Sequence, residues 1–67
     1  MKGLNQRQSE MLQELFASGE QAIQDFEKLF PDVTRRTLQR DLKSLEDAGL
    51  VVRLGETNQL KYRAESS

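Results

Sequence analysis

The spacing of apolar side chains changes character at Gly49. Before it, Leu38, Leu42, Leu45 and then Ala48 recur at three- and four-residue intervals, which marks one buried stripe of a helix. After it, Val51-Val52-Arg53-Leu54 and Leu60-Lys61-Tyr62-Arg63 alternate as strands do. Val52 and Leu54 point one way, and Val51 and Arg53 the other. Leu60 and Tyr62 face inward, while Lys61 and Arg63 face outward. Five residues, Gly55 to Gln59, join the two strands. A lone hairpin of this kind is marginal in water, so it must lie against the helices that precede it. A chain of 67 residues forms one small domain, burying only ~60% of the surface it exposes unfolded.

The earlier residues supply two more helices. Asn5 is an N-cap, with Gln8 three residues on as a capping box requires, and Met11, Leu12, Leu15 and Phe16 follow at helical spacing. Gly19 stops this helix, which is expected over residues 6–18. Ile23, Phe26 and Phe30 mark a second helix of about two turns. Pro31-Asp32 ends it, because proline lacks the amide hydrogen that the helical ladder uses. Thr34 caps the third helix, which is expected from Thr34 to Ala48. Three helices and a C-terminal hairpin make a mainly α domain with a small β-hairpin, a three-helix winged helix-turn-helix. Its expected limits are residues 4–64, with 1–3 and 65–67 as flexible ends.

Composition removes several chemistries. Without Cys or His there is no disulfide, thiolate, imidazole base or imidazole metal ligand. The serines have no His partner, the four glycines are isolated at turns or at the start of the chain, and no phosphate-loop spacing occurs. Asp25 and Glu27 have neither the spacing of a metal loop nor a second carboxylate pair for acid–base work. The reading is therefore no enzyme, no cofactor, no metal and no small-molecule site. The longest apolar run, Leu50-Val51-Val52, is far short of the ~20 residues of a membrane span, and no secretory signal is evident. A cytoplasmic location with no membrane partner is expected.

Charge is unevenly placed. Residues 1–33 carry three basic and six acidic side chains, whereas residues 34–67 carry seven and five. At about 100° per residue, Arg36, Arg40 and Lys43 cluster on the third helix opposite its leucines, with Gln39 flanking. A solvated surface explains many such runs, but two features oppose it here. Arg36 and Arg40 repel at i, i+4, and Arg35 and Arg36 sit in a first turn where the helix dipole favours acids. A polyanion would compensate both. Arginine grips guanine O6 and N7 bidentately, and Gln39 suits adenine N6 and N7. Asp41 lies beside the buried stripe and reads as an anchor for Arg35 or Arg53, not as a catalytic acid. Asp47 lies on the basic side, two turns further along.

The stretch from Thr34 to Leu50 meets the pattern (S/T)-R-R-T-x-x-R-D-L-x-x-L-x-x-x-G-L, and Leu4-Asn5-Gln6-Arg7-Gln8 meets an opening L-N-x-R-Q. In both, the chain resembles the DeoR-type winged helix-turn-helix family. The likeness is closest to the versions at the C-termini of Fic-type and divergent AAA-type bacterial proteins. The resemblance implies a recognition helix from Thr34 in the major groove of double-stranded DNA. It makes Arg35, Arg36, Thr37 and Arg40 DNA-facing, with Thr34 as cap and the hairpin as wing. The sequence departs from the family at Gln21, where a short strand usually carries an apolar residue, and in the wing loop, where Glu56 would repel phosphate. Arg53, Lys61 and Arg63 on the outer face of the wing are then the better contacts.

Two functions are compatible with these residues. One is a DNA-binding module of the transcription-regulator type, using Thr34, Arg35, Arg36, Thr37, Gln39, Arg40, Lys43, Arg53, Lys61 and Arg63. Its further partner would be the rest of a parent protein or a second copy, although no heptad seam is present. The other is a protein-interaction or autoregulatory module that has kept the fold and lost the DNA. An exposed apolar patch involving Met11, Leu54 or Val51 would be its mark.

Overall fold

The computed structural model describes residues 3–55 and 60–65. The first helix, α1 (Gln6–Ser18), starts on a reciprocal cap. The Gln8 N–H donates to Asn5 Oδ1 (2.7 Å), and the Asn5 N–H donates to Gln8 Oε1 (3.3 Å). At the other end Gly19 takes φ 87°, and its N–H reaches the Leu15 carbonyl.

A two-residue strand, β1 (Gln21–Ala22), leads into α2 (Ile23–Leu29), whose entry is fixed by the Asp25 carboxylate accepting from the Ala22 N–H (2.9 Å). The third helix, α3 (Arg35–Asp47), begins at Thr34, whose hydroxyl accepts from the Thr37 N–H (3.2 Å). It ends as a Schellman motif. The Leu50 N–H returns to the Leu45 carbonyl, and the N–H of Gly49, at φ 79°, returns to that of Glu46. The chain turns at once into β2 (Val51–Leu54) and comes back as β3 (Lys61–Ala64).

The sheet is three-stranded and antiparallel in the order β1-β3-β2: the expected hairpin of β2 and β3 is joined by the short strand that the DeoR-type resemblance places at Gln21. Gln21 pairs with Tyr62 and Ala22 with Lys61, closing the open edge of β3. A strand of two residues has no period to read, and Gln21 forms it through its backbone, for which an apolar side chain is not needed.

Nine apolar side chains form the core: Met11 and Leu15 of α1, Phe26 of α2, Leu38, Leu42 and Leu45 of α3, and Val51, Tyr62 and Ala64 of the sheet. Two expectations about the apolar faces fail. Ala48 is exposed, because the helix ends there and the chain turns away. Phe16, in line with the apolar residues of α1, is 63% exposed. Leu12, one turn earlier, is only half-buried, so Phe16 sits past the edge of the buried stripe.

Asp41 is the one buried charged residue among the described residues. Its partners are neither Arg35 nor Arg53. Arg7 Nε and Nη2 of α1 donate to its two carboxylate oxygens, and Gln8 Nε2 donates to Oδ1 (3.1 Å). The hydrogen bond to Asp41 holds Arg7 more firmly protonated than usual. Gln8 thus caps α1 with its carbonyl and holds α3 with its amide.

Three stability measurements test this account. Leu42→Ala should cost ~2–5 kcal/mol in urea unfolding, since the side chain is fully buried. Arg7→Met leaves a buried carboxylate with Gln8 alone and should cost about 1–3 kcal/mol, much of which the double variant Arg7→Met/Asp41→Leu should restore. Burial pushes the Tyr62 phenol above its ordinary value of 10.0, with Arg53 opposing. Its contribution to stability is therefore intact below about 10 and is lost as pH rises through the raised value. Tyr62→Phe should flatten this alkaline decline in thermal melting.

Candidate nucleic-acid interface

The leucines of α3 face inward, so the opposite side of the helix projects from the molecule. Arg35, Arg36, Gln39, Arg40 and Lys43 are all exposed on or beside that side. No acidic residue occupies the first turn of α3, and its N-terminal dipole is answered by two arginines. An anion placed there gains from the free backbone N–H groups as well as from the cations.

The cations of α3 differ in their company. Arg35 Nε lies 3.5 Å from Glu27 of α2, and Lys43 Nζ lies 3.3 Å from Asp47 one turn along. Arg36 and Arg40 have no carboxylate partner among the described residues, and Gln39 no side-chain hydrogen bond. Exposed pairs of the first kind are worth ~0–1 kcal/mol, so Arg35 and Lys43 can exchange their partners for phosphate at little cost. Thr34 serves as the cap, and its hydroxyl also donates to Thr37 Oγ1 (3.0 Å). Thr37 is half-buried, and its hydroxyl is turned into this cap.

The sheet divides the remaining candidates. Arg53 stands opposite Tyr62 in the β2–β3 register, while Lys61 and Arg63 stand opposite Leu54 and Val52. Directly opposed residues share a face. Arg53 therefore belongs to the face of Val51, Tyr62 and Ala64, not to the outer face with Lys61 and Arg63. At the rim of that inner face its guanidinium meets Glu46 of α3 at 3.8 Å. The expectation that all three cations line one outer surface is corrected by this register. The wing loop lies outside the described residues apart from Gly55, so Glu56 has no structural account.

Sequence reasoning missed the residues that hold α3 in place. Arg7 and Gln8 carry no cation or amide to the exposed face, yet they fix the helix through Asp41. The signal was available in two places, the L-N-x-R-Q opening and the Arg40-Asp41 pair, and only the fold joins them. The three residues expected to mark an exposed apolar patch in a DNA-free module do not form one. Met11 and Val51 are buried and Leu54 is half-buried. Among the described residues no helix is long and apolar enough to cross a membrane, and no acidic cluster could hold a metal ion.

Comparison with known proteins places this geometry. No curated protein and no solved structure gives a significant match to the chain. The sequence profile of the HxlR-like helix-turn-helix family matches residues 5–65, from the cap of α1 to just beyond the end of β3. A capped helix bearing unpaired arginines on a winged, three-helix frame is what such a DNA-binding module presents, and with nearly all of its length matched the chain belongs to the HxlR-like helix-turn-helix family of transcription-regulator DNA-binding domains.

Proposed function

We propose that α3 is the reading element of this domain, entering the major groove of double-stranded DNA with Arg36, Gln39 and Arg40 at base edges. The observation that carries the reading is the pairing pattern on α3: the two arginines farthest from its leucines are the ones without carboxylate partners. Arg35 and Lys43 take phosphates on either side, releasing Glu27 and Asp47. Thr34 and Thr37 set the start of the helix and bring its N–H groups to the backbone of the duplex. Lys61 and Arg63 on the outer face of the sheet supply the wing contacts. Arg53, held toward Glu46, contributes less. Phosphate neutralisation provides most of the affinity and makes it salt-dependent, and base contacts provide selection.

The DeoR-type pattern of residues 34–50 supports the same helix in the same role. The likeness to domains at the C-termini of Fic-type and divergent AAA-type bacterial proteins favours a bacterial module that works in the cytoplasm attached to a larger protein or paired with a second copy. Such pairing would place two α3 helices one DNA turn apart. The chain's own residues bind and orient, and no catalytic step is assigned to them.

Fluorescence anisotropy of mixed-sequence duplex DNA tests the reading. Binding should weaken with salt, and Arg36→Ala/Arg40→Ala should abolish it while leaving the thermal transition in place. A base-reading arginine is worth ~1–3 kcal/mol of specific binding. Lys61→Ala and Arg63→Ala should each lower the slope of log affinity on log salt by about 0.9, and Arg53→Ala should lower it less. Undiminished binding by the double variant would remove α3 from the interface.

A further inference from the structure

Between the second half of α1 and the end of α2 the surface opens into a groove of about 400 Å³. Ala17, Leu29 and Phe30 line it together with Glu10, Gln13 and Glu14. Leu29 is 47% exposed, which leaves apolar area uncovered, whereas the leucines of α3 are buried.

The charge around this groove is of one sign. Glu10 and Glu14 stand one turn apart on α1 and belong to no ion pair among the described residues. Each is touched only by a neutral group, since Gln6 Nε2 donates to Glu10 and the Ser18 hydroxyl to Glu14. Asp25, one turn before Leu29 on α2, is outside the lining, and its carboxylate accepts from the Ala22 N–H. Two cations are close to it in sequence, and neither lines the groove. Arg7, one turn before Glu10, is held by Asp41. Lys28 follows Asp25 and precedes Leu29, which sets it about 100° around α2 from the exposed leucine. The groove therefore repels phosphate and is no part of a DNA interface.

Three apolar side chains set beside two glutamates and a glutamine have a natural complement. We propose that the α1–α2 groove is a docking site for a cationic amphipathic helix of a partner protein. Its apolar side chains would lie on Leu29, Phe30 and Ala17. Lysines or arginines one turn apart would meet Glu10 and Glu14, matching their separation of about 6 Å along the axis. α1 and α2 pack against the leucine side of α3, and Arg36, Arg40 and Lys43 are exposed on the opposite side. The same domain can thus hold DNA on one side and a protein on the other.

The probe is a synthetic amphipathic helix with leucines on one face and lysines on the other, beside the same peptide with glutamates for lysines. Both are titrated into the full ¹⁵N-labelled chain and followed by amide chemical shifts. The lysine peptide should bind and move resonances of residues 10–17 and 25–30, and the glutamate peptide should not bind. Glu10→Lys/Glu14→Lys should weaken binding about tenfold or more. Leu29→Ser should weaken it as well. Phe16→Ser removes a larger exposed apolar side chain from the same helix, two residues after Glu14 and about 200° around it, and should change nothing. Equal binding by the charge-reversed variant, shifts centred on another surface, or no binding would each overturn the proposal. Because duplex DNA is absent from this measurement, its outcome does not depend on how α3 is used.

Discussion

The orientation of α3 rests on one buried carboxylate. Asp41 lies among the leucines that face the core, where an unpaired charge would cost several kcal/mol. Its two oxygens are met by Arg7 and Gln8, both from the first turn and a half of α1. Neither can reach Asp41 unless α1 is already helical from its first residue, and the cap shared by Asn5 and Gln8 secures this. The start of one helix and the rotation of another are thus set by a single hydrogen-bonded cluster. In the observed arrangement of this cluster Arg36 and Arg40 are exposed on the far side of α3.

The same logic explains why α3 can carry so many cations. Its neighbours neutralise the arginine at its start, the lysine in its middle and the wing residue beside its end, through Glu27, Asp47 and Glu46. These exposed pairs add little stability, but they hold long side chains near the positions where an anion would be met. On the exposed side of α3 the fold leaves two arginines at i, i+4 and a helix N-terminus without an acid. Broken local rules of this kind are expected where binding, and not folding, has chosen the residues.

Much of the architecture could be read from local signals. The caps at Asn5 and Thr34, the glycine stops at Gly19 and Gly49 and the change of apolar period at Gly49 are properties of neighbouring residues, and all appear where they were expected. The failures share a physical origin in contacts distant along the chain. Asp41 chose Arg7 over Arg35 because α1 crosses α3 at its first turn, which no spacing within α3 discloses. Arg53 was assigned to the outer face from its own strand, whereas its face is decided by which residue of β3 stands opposite. β1 has no residue pattern of its own, and only the DeoR-type resemblance pointed to a strand at Gln21. Phe16 continued an apolar stripe that the packing of α1 does not use to its end.

A domain of this size has few surfaces to divide among its partners, and charge does the dividing. Most basic residues lie on α3 and the sheet, whereas α1 and α2 together carry four acidic side chains against Arg7 and Lys28. Were the two mixed, each would screen the other within the ~8 Å Debye length of physiological salt, and neither face would select a partner by sign. The hydrophobic core of leucines, Met11 and Phe26 keeps the two faces apart. The basic helix carries three carboxylates of its own: Asp41 is met by Arg7 inside the structure, Glu46 faces Arg53, and Asp47 pairs with Lys43. The exposed side of α3 therefore keeps its positive potential although the chain as a whole is slightly acidic.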